Sequence, residues 1–115
     1  MGAWGTRPFD SDGALDWYGS ISDFVSEKVE NTLDNSEYPD EWYAAAGIIP
    51  RLADIPDVRL QDLIPKAIAR LDQILADRQY IQSWKTPGDY QHHVNRSRRI
   101  LLEIHRRQPR TSLLD

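Results

Sequence analysis

Asp10, Asp12 and Asp16 are the residues whose types and spacing could support chemistry, because closely spaced carboxylates can hold a divalent cation. They occupy positions 1, 3 and 7 of a hypothetical calcium-binding loop. Such a loop requires glycine at position 6 and a bidentate glutamate at position 12. Gly13 lies at position 4 instead, and Ile21 stands where the glutamate is needed. The spacing therefore excludes a calcium loop and leaves a metal-dependent hydrolase or a small-ligand site as alternatives.

The string from Asp10 to Leu15 resembles the D-x-D-G-x-L signature of the haloacid-dehalogenase-like phosphatases. That resemblance implies that Asp10 attacks phosphorus, that Asp12 moves a proton, and that both carboxylates hold Mg²⁺. The family places its first aspartate at the end of a buried parallel strand. Residues 4–8 contain glycine, arginine and proline, which disfavour such a strand. The sequence favours a helix N-terminus with capping acids over a phosphatase site.

The histidines and serines give no further catalytic pattern. His92 and His93 are adjacent, so on a helix their side chains point roughly 100° apart and cannot chelate one ion together. His105 lies about three turns further on, and no HExxH pair is present. The chain has no cysteine, which excludes thiolate chemistry. We therefore expect no catalytic residue, no metal and no cofactor, and we predict that the protein is not an enzyme.

Charge is distributed unevenly along the 115 residues. Residues 1–57 carry twelve acids and three bases, a net charge of −9, whereas residues 58–115 carry six acids and eleven bases, a net of +5; the sum is −4. A nucleic-acid interface on the basic half is a third functional hypothesis. Against it stand a sequence pI near 5.3 and the lack of aromatic residues among the arginines. We expect these arginines to pair with acids of the first helix or to face solvent: Arg96, Arg98, Arg99, Arg106, Arg107 and Arg110.

Helical periodicity dominates the chain from about residue 10 onward. An irregular but ordered leader is predicted for residues 1–9, followed by a helix from Asp10–Asp12 to about Asn31–Asn35. Pro39 is expected to open the second helix at its first position, and Pro50 to kink or stop it. An apolar stripe predicts the third helix. Pro65 either lies in its first turn or kinks it, and we favour the first turn. That stripe consists of Ile64, Ala67, Ile68, Leu71, Ile74, Leu75 and Ile81.

Thr86, Pro87 and Gly88 mark a break before a fourth helix, expected from about Gly88 to Arg107. No strand-like alternation and no repeat are present. The sequence therefore predicts an all-α fold, a compact bundle of about four helices that forms one domain over residues 1–115. No apolar run approaches the roughly 18 residues that a membrane span requires. We expect a cytoplasmic protein without a membrane partner.

Acidic and aromatic residues concentrate between the first two helices, which is typical of a partner-binding surface. We predict that a protein partner is contacted by Asp34, Glu37, Tyr38, Glu41 and Trp42. For Trp42 two alternatives stay open, a core residue or an exposed anchor for the partner. Combined substitution of Glu37, Glu41 and Trp42 is expected to weaken binding about tenfold or more.

The first 17 residues resemble the opening of a bacterial family catalogued as domain of unknown function 4259, which typically begins GxWGxGxFxNDxAxDW. The matching residues run from Gly2 to Trp17, with Arg7 and Ser11 departing from the pattern, and the segment 80–84 resembles the family more loosely. The resemblance implies a small all-helical bacterial or phage protein and no activity. We interpret its characteristic residues as structural, with a binding site as the alternative: Trp4, Phe9, Asp10, Asp12, Asp16 and Trp17.

Small size, acidity and the lack of catalytic residues favour a non-catalytic protein that acts by protein–protein contact. Inhibitors, immunity proteins and phage anti-defence proteins share these properties, which is an argument by analogy. The alternatives are the ligand or hydrolase site at Asp10, Asp12 and Asp16, and the basic nucleic-acid interface. A homodimer is a further expectation that the sequence leaves open.

Overall fold

A computed structural model of the protein describes residues 12–53 and 59–107, and among residues 12–18 only the side chain of Asp16 is described. Five α-helices and one 3-10 turn occupy these ranges, and no strand does, which confirms the all-α fold. The helices are α1 (Asp12–Asn35), α2 (Pro39–Ile48), α3 (Leu60–Ala76), α4 (Arg78–Gln82) and α5 (Pro87–Arg107), and the 3-10 turn is Ile49–Leu52.

Helix α3 lies at the centre of the bundle and contacts α1, α2, α4 and α5. Its apolar stripe, spaced at three and four residues, is buried against these neighbours. Helix α5 contributes Tyr90, Val94 and Leu101 to the same core, as its periodicity predicts. The buried residues of α3 are Leu60, Leu63, Ile64, Ala67, Leu71 and Ile74.

Pro65 lies inside α3, at its sixth residue, so the prediction that it sits in the first turn was wrong. The helix begins earlier because Leu60 and Leu63 fall on its buried face, where they are 5% and 3% exposed. Burying two leucines contributes roughly 1.5–3 kcal/mol each, which offsets the hydrogen bond that proline cannot donate. Pro65 and Gln61 are exposed, so water can solvate the carbonyl that loses its donor.

The predicted third helix is divided at Asp77, which was also unexpected. Asp77 leaves the helical conformation at φ −91° and ψ 87°, and its carboxylate accepts a hydrogen bond from the Tyr80 backbone N–H. This is an N-cap, because the side chain satisfies one of the free donors at the start of α4. Ile81 remains in the core at 4% exposure, although it belongs to α4 rather than α3.

Four aromatic rings join α2, α4 and α5. Tyr90 is 8% exposed and stacks on Trp84, with ring centroids 4.3 Å apart and an interplanar angle of 11°. Tyr43 and Tyr80 each form a T-shaped contact with the Tyr90 ring, with centroid distances of 5.7 Å and 6.0 Å. The Tyr90 hydroxyl is buried without a hydrogen-bond partner among the described residues. Burial, and then the neighbouring Tyr80 hydroxyl, raise the pKa of Tyr90 above its ordinary value of 10.0.

Tyr90→Phe is expected to change the free energy of unfolding by less than about 1 kcal/mol at neutral pH, because the ring stays and no hydrogen bond is lost. Above about pH 10 an unfolded Tyr90 loses its proton whereas the folded one keeps it. Stability therefore falls as pH rises, by up to about 1.4 kcal/mol per pH unit from this group.

Denaturant unfolding of the wild type and Tyr90→Phe at about pH 9 and about pH 11 measures this contribution. The variant is expected to lose less stability between the two conditions. Equal losses in both proteins would show that Tyr90 ionises alike in the folded and unfolded chains.

Candidate functional site

Residues 34–42, here called the acidic turn, connect the end of α1 to the first turn of α2. The Ser36 hydroxyl donates to Glu41 Oε1 at 2.6 Å and accepts from the Tyr38 backbone N–H at 3.1 Å. Pro39 occupies the first helical position of α2, where a missing N–H costs nothing. Asp40 and Glu41 follow in the first turn, where the helix dipole favours negative charge. The turn is therefore tied to itself by its own side chains.

Trp42 connects the acidic turn to the core, against which it is half-buried. Its indole N–H donates to the Ser36 carbonyl at 2.8 Å, which bridges the turn. The guanidinium carbon of Arg70 lies 4.2 Å from the centroid of the Trp42 ring, a cation–π contact. Of the two alternatives for Trp42, the structure supports a packed residue more than a freely exposed anchor.

Arg70 on α3 joins the end of α1 to Trp42. Its Nε donates to the Leu33 carbonyl at 2.6 Å, and a terminal nitrogen reaches the Asp34 carbonyl at 3.3 Å. The last carbonyls of a helix have no partner within that helix, and a cation placed there also meets the negative end of the dipole. One side chain thus satisfies the C-terminus of α1 and covers the indole of Trp42.

Lys66, one turn before Arg70, forms the second link between α3 and α1. Its Nζ lies 2.8 Å from Asp34 Oδ2 and 3.1 Å from Glu30 Oε2. The hydrogen bond to Asp34, followed by that to Glu30, raises the pKa of Lys66 above its ordinary value. Asp34 therefore contributes to intramolecular packing, while part of its carboxylate stays accessible.

Six residues of the acidic turn are exposed, and four of them lie beyond the end of α1. Tyr38 is the most apolar of them, with 62% of its surface exposed. The backbone of Tyr38 begins α2, but its side chain makes no capping hydrogen bond. The result is an exposed phenol ring with three carboxylates within three residues of it in the chain, on a backbone that neighbouring side chains hold in place. The other three are Glu37, Asp40 and Glu41.

Lys66 and Arg70 were not predicted from the sequence as positioning residues. Lys66 on α3 reaches both Glu30 and Asp34, which lie four residues apart on α1. Two acids at i and i+4 lie on one face of a helix, a pattern that could have indicated a basic partner such as Lys66. The hydrogen bonds of Arg70 to backbone carbonyls could not be predicted in this way, because every residue has a carbonyl and residue type does not show which ones are accessible.

The residues of the N-terminal motif fall almost entirely outside the described part of the chain. Trp4, Phe9 and Asp10 lie before residue 12, and the side chains of Asp12 and Trp17 are not described. Asp12 is the first residue of α1, and Asp16 is exposed. Among the described residues no group of three or more histidines, cysteines or acids is arranged to hold a metal ion.

Among the described residues, no arginine of α5 pairs with an acid of α1, contrary to one of the two arrangements we expected. Arg98 binds Asp72 of α3, with Nε 2.6 Å from Oδ1. Arg106 and Arg107 both lie near Glu103, one turn earlier on α5. The acids of α1 are matched by Lys66 instead, because α3 and not α5 packs beside them. Arg96 and Arg99 face solvent, and Arg110 lies outside the described residues.

Helices α1 and α2 also enclose a shallow groove of about 320 Å³ on another side of the pair. Its walls are mostly apolar or small side chains, with Lys28 on the α1 side and Glu41 on the α2 side. The lining residues are Lys28, Val29, Thr32, Glu41, Ala44, Ala45 and Ile48. This volume is at the lower end of the range for small-molecule pockets.

Among the helices described, none has the length and apolar character needed to cross a bilayer. No curated protein and no solved structure gives a significant match to the chain. The model of one protein family, described as Domain of unknown function (DUF4259), matches residues 2–49. That range includes the segment from Gly2 to Trp17, α1 and α2, and it confirms the resemblance to this family; residues 80–84 lie outside it. Residues 2–49, which contain the whole acidic turn and every residue that lines the groove, are therefore similar to the DUF4259 family.

Proposed function

We propose that the protein is a non-catalytic cytoplasmic protein that binds another protein through the acidic turn and inhibits or neutralises it. The observation that carries the proposal is the combination of rigid support and exposure. Trp42 and Arg70 hold the backbone of the turn and of the end of α1 through hydrogen bonds to the Ser36 and Leu33 carbonyls. Tyr38 and three carboxylates remain on the outside. A surface that is ordered before binding loses little conformational entropy when it binds.

The chemistry of the turn indicates the kind of partner. Glu37, Asp40 and Glu41 give a local negative potential, which steers a basic surface and speeds association. Tyr38 offers a rigid aromatic ring, a residue type enriched among energetically dominant interface positions. A basic protein surface with a pocket for one aromatic ring fits both features. Immunity-type and anti-defence roles stay analogies that support this proposal through size and acidity.

The test is a variant that changes the exposed residues and spares those that hold the turn. Glu37→Lys, Tyr38→Ala and Glu41→Gln are combined, since glutamine keeps an acceptor for the Ser36 hydroxyl. Trp42 is left unchanged because its hydrogen bond and its contact with Arg70 support the fold. Affinity for a partner captured with the wild-type protein is expected to fall about tenfold or more, or about 1.4 kcal/mol.

Asp23→Asn combined with Glu27→Lys is the matched control, because it makes the same change in net charge on exposed residues of α1 outside the turn. The control is expected to bind like the wild type. If the turn variant keeps full affinity while remaining folded, the acidic turn is not the contact surface. If both variants lose affinity equally, the effect comes from net charge and the assignment is also wrong.

A further inference from the structure

One side of the α1–α2 pair is apolar and nearly free of acidic residues. We call it the α1–α2 face and define it as Ile21, Phe24 and the seven residues that line the groove. Phe24 is 70% exposed, and Ile21 and Ile48 are 38% and 39% exposed. Exposed apolar side chains of this size, gathered beside a groove, mark an interaction surface more often than scattered ones do.

The acids of α1 lie on a different side of that helix. At 100° per residue, Asp16, Asp23, Glu27, Glu30 and Asp34 fall within an arc of about 60°. Ile21, Phe24, Lys28 and Thr32 occupy a separate arc. Helices α1 and α2 together contain eight acidic residues and a single base, Lys28. Of those eight acids, Glu41 alone lines the groove.

We propose that this face binds the same face of a second copy of the chain, forming a twofold symmetric dimer. In such a dimer each surface must complement itself. A twofold axis along the groove places α1 of each copy against α2 of the other. Lys28 of each copy then meets Glu41 of its partner, so two intermolecular ion pairs form. Within the described part of a single chain, Lys28 has no ion-pair partner.

Charge explains why a second copy fits here and not elsewhere on α1 and α2. Their other outward surfaces carry the remaining acids, so two copies brought together there would repel each other. The α1–α2 face has one charge of each sign, and its apolar residues gain from leaving water. Phe24, the most exposed apolar side chain of the face, supplies a large aromatic residue for such a contact.

The size of the face sets the expected affinity. It extends about 20 Å along α1 and about 20 Å across two helices, or roughly 400 Å² on each copy. This is about half of the roughly 800 Å² per partner in standard interfaces, so we expect a weak dimer with a dissociation constant of about 10–100 µM. The oligomeric state must therefore be measured from about 5 µM to about 500 µM.

Two charge reversals test the proposal in the full-length chain by sedimentation velocity. Lys28→Glu alone and Glu41→Lys alone each place like charges opposite one another, and each variant is expected to remain monomeric. In an equimolar mixture, the glutamate introduced into one chain meets the lysine introduced into the other, and the unaltered Glu41 meets the unaltered Lys28. The mixture is expected to regain dimerisation at the wild-type concentration. A variant that had only misfolded would not be rescued by mixing.

Three results would overturn the dimer: a wild-type chain that stays monomeric at about 500 µM, reversals that do not weaken association, or a mixture that is not rescued. A monomeric wild-type chain is the result expected if another part of the same chain, or a different protein, covers the face. The dimer and the proposed partner binding fail separately, because Lys28→Glu leaves Glu37 and Tyr38 unchanged and is expected to retain the partner.

Discussion

Leu71→Ala is expected to lower the free energy of unfolding by about 3 kcal/mol, the largest effect of any single substitution considered. Leu71 is 0% exposed and lies on the buried face of α3. Because α3 is packed against α1, α2 and α5, its neighbours cannot all close around the cavity that alanine leaves. Most of the lost contact and transfer free energy is therefore not recovered.

Leu75→Ala is the matched control for Leu71→Ala, since Leu75 lies one turn later on α3 and is only partly buried. We expect it to cost about 1 kcal/mol. Denaturant unfolding measures both variants, and an unchanged denaturant dependence would show that only stability has changed. Equal costs at the two positions would contradict the central place of Leu71 in the core.

Arg70→Ala has the second-largest expected effect, a loss of about 2–3 kcal/mol in the free energy of unfolding. It removes the hydrogen bonds to the Leu33 and Asp34 carbonyls and the cation over Trp42. A hydrogen bond from a charged donor contributes about 1.5–3 kcal/mol, and a partly exposed cation–π contact about 0.5–1 kcal/mol. The indole of Trp42 becomes more exposed as well.

Arg98→Ala is the control for Arg70→Ala, because Arg98 forms a surface ion pair with Asp72. Pairs of this kind contribute about 0–1 kcal/mol, so the variant is expected to be nearly neutral. Arg70→Lys keeps the charge but loses the planar donors, and we expect an intermediate cost. If Arg70→Ala is no more destabilising than Arg98→Ala, Arg70 does not support the acidic turn.

The helices were predictable where residues with a strong local preference, such as proline for the first helical position, lie at their ends. Pro39 and Pro87 begin α2 and α5, and the stripe from Ile64 to Leu75 identifies α3. The break at Asp77 was missed and Pro65 was placed wrongly, for opposite reasons. At Asp77 a local cap divides a continuous apolar stripe. At Pro65 tertiary burial of Leu60 and Leu63 outweighs the local preference of proline for a first turn.

The candidate site was predictable in composition but not in geometry. The sequence places acids and aromatics together between residues 34 and 42, but residue type does not determine which side chains face inward. Trp42 packs beneath the exposed residues because its indole binds the Ser36 carbonyl and contacts Arg70, a residue 28 positions away in the chain. Tyr38 precedes α2 as its N-cap and points outward. Such distinctions depend on contacts between helices.

Partner binding through the acidic turn is tested most directly by a parallel capture experiment with three tagged baits in lysate of the organism that encodes the protein. The baits are the wild type, the combined Glu37→Lys, Tyr38→Ala and Glu41→Gln variant, and the Asp23→Asn and Glu27→Lys control. We predict one stoichiometric protein on the wild-type and control baits, reduced about tenfold on the turn variant. Equal capture by all three folded baits, or capture of no protein by any of them, would contradict the proposed function.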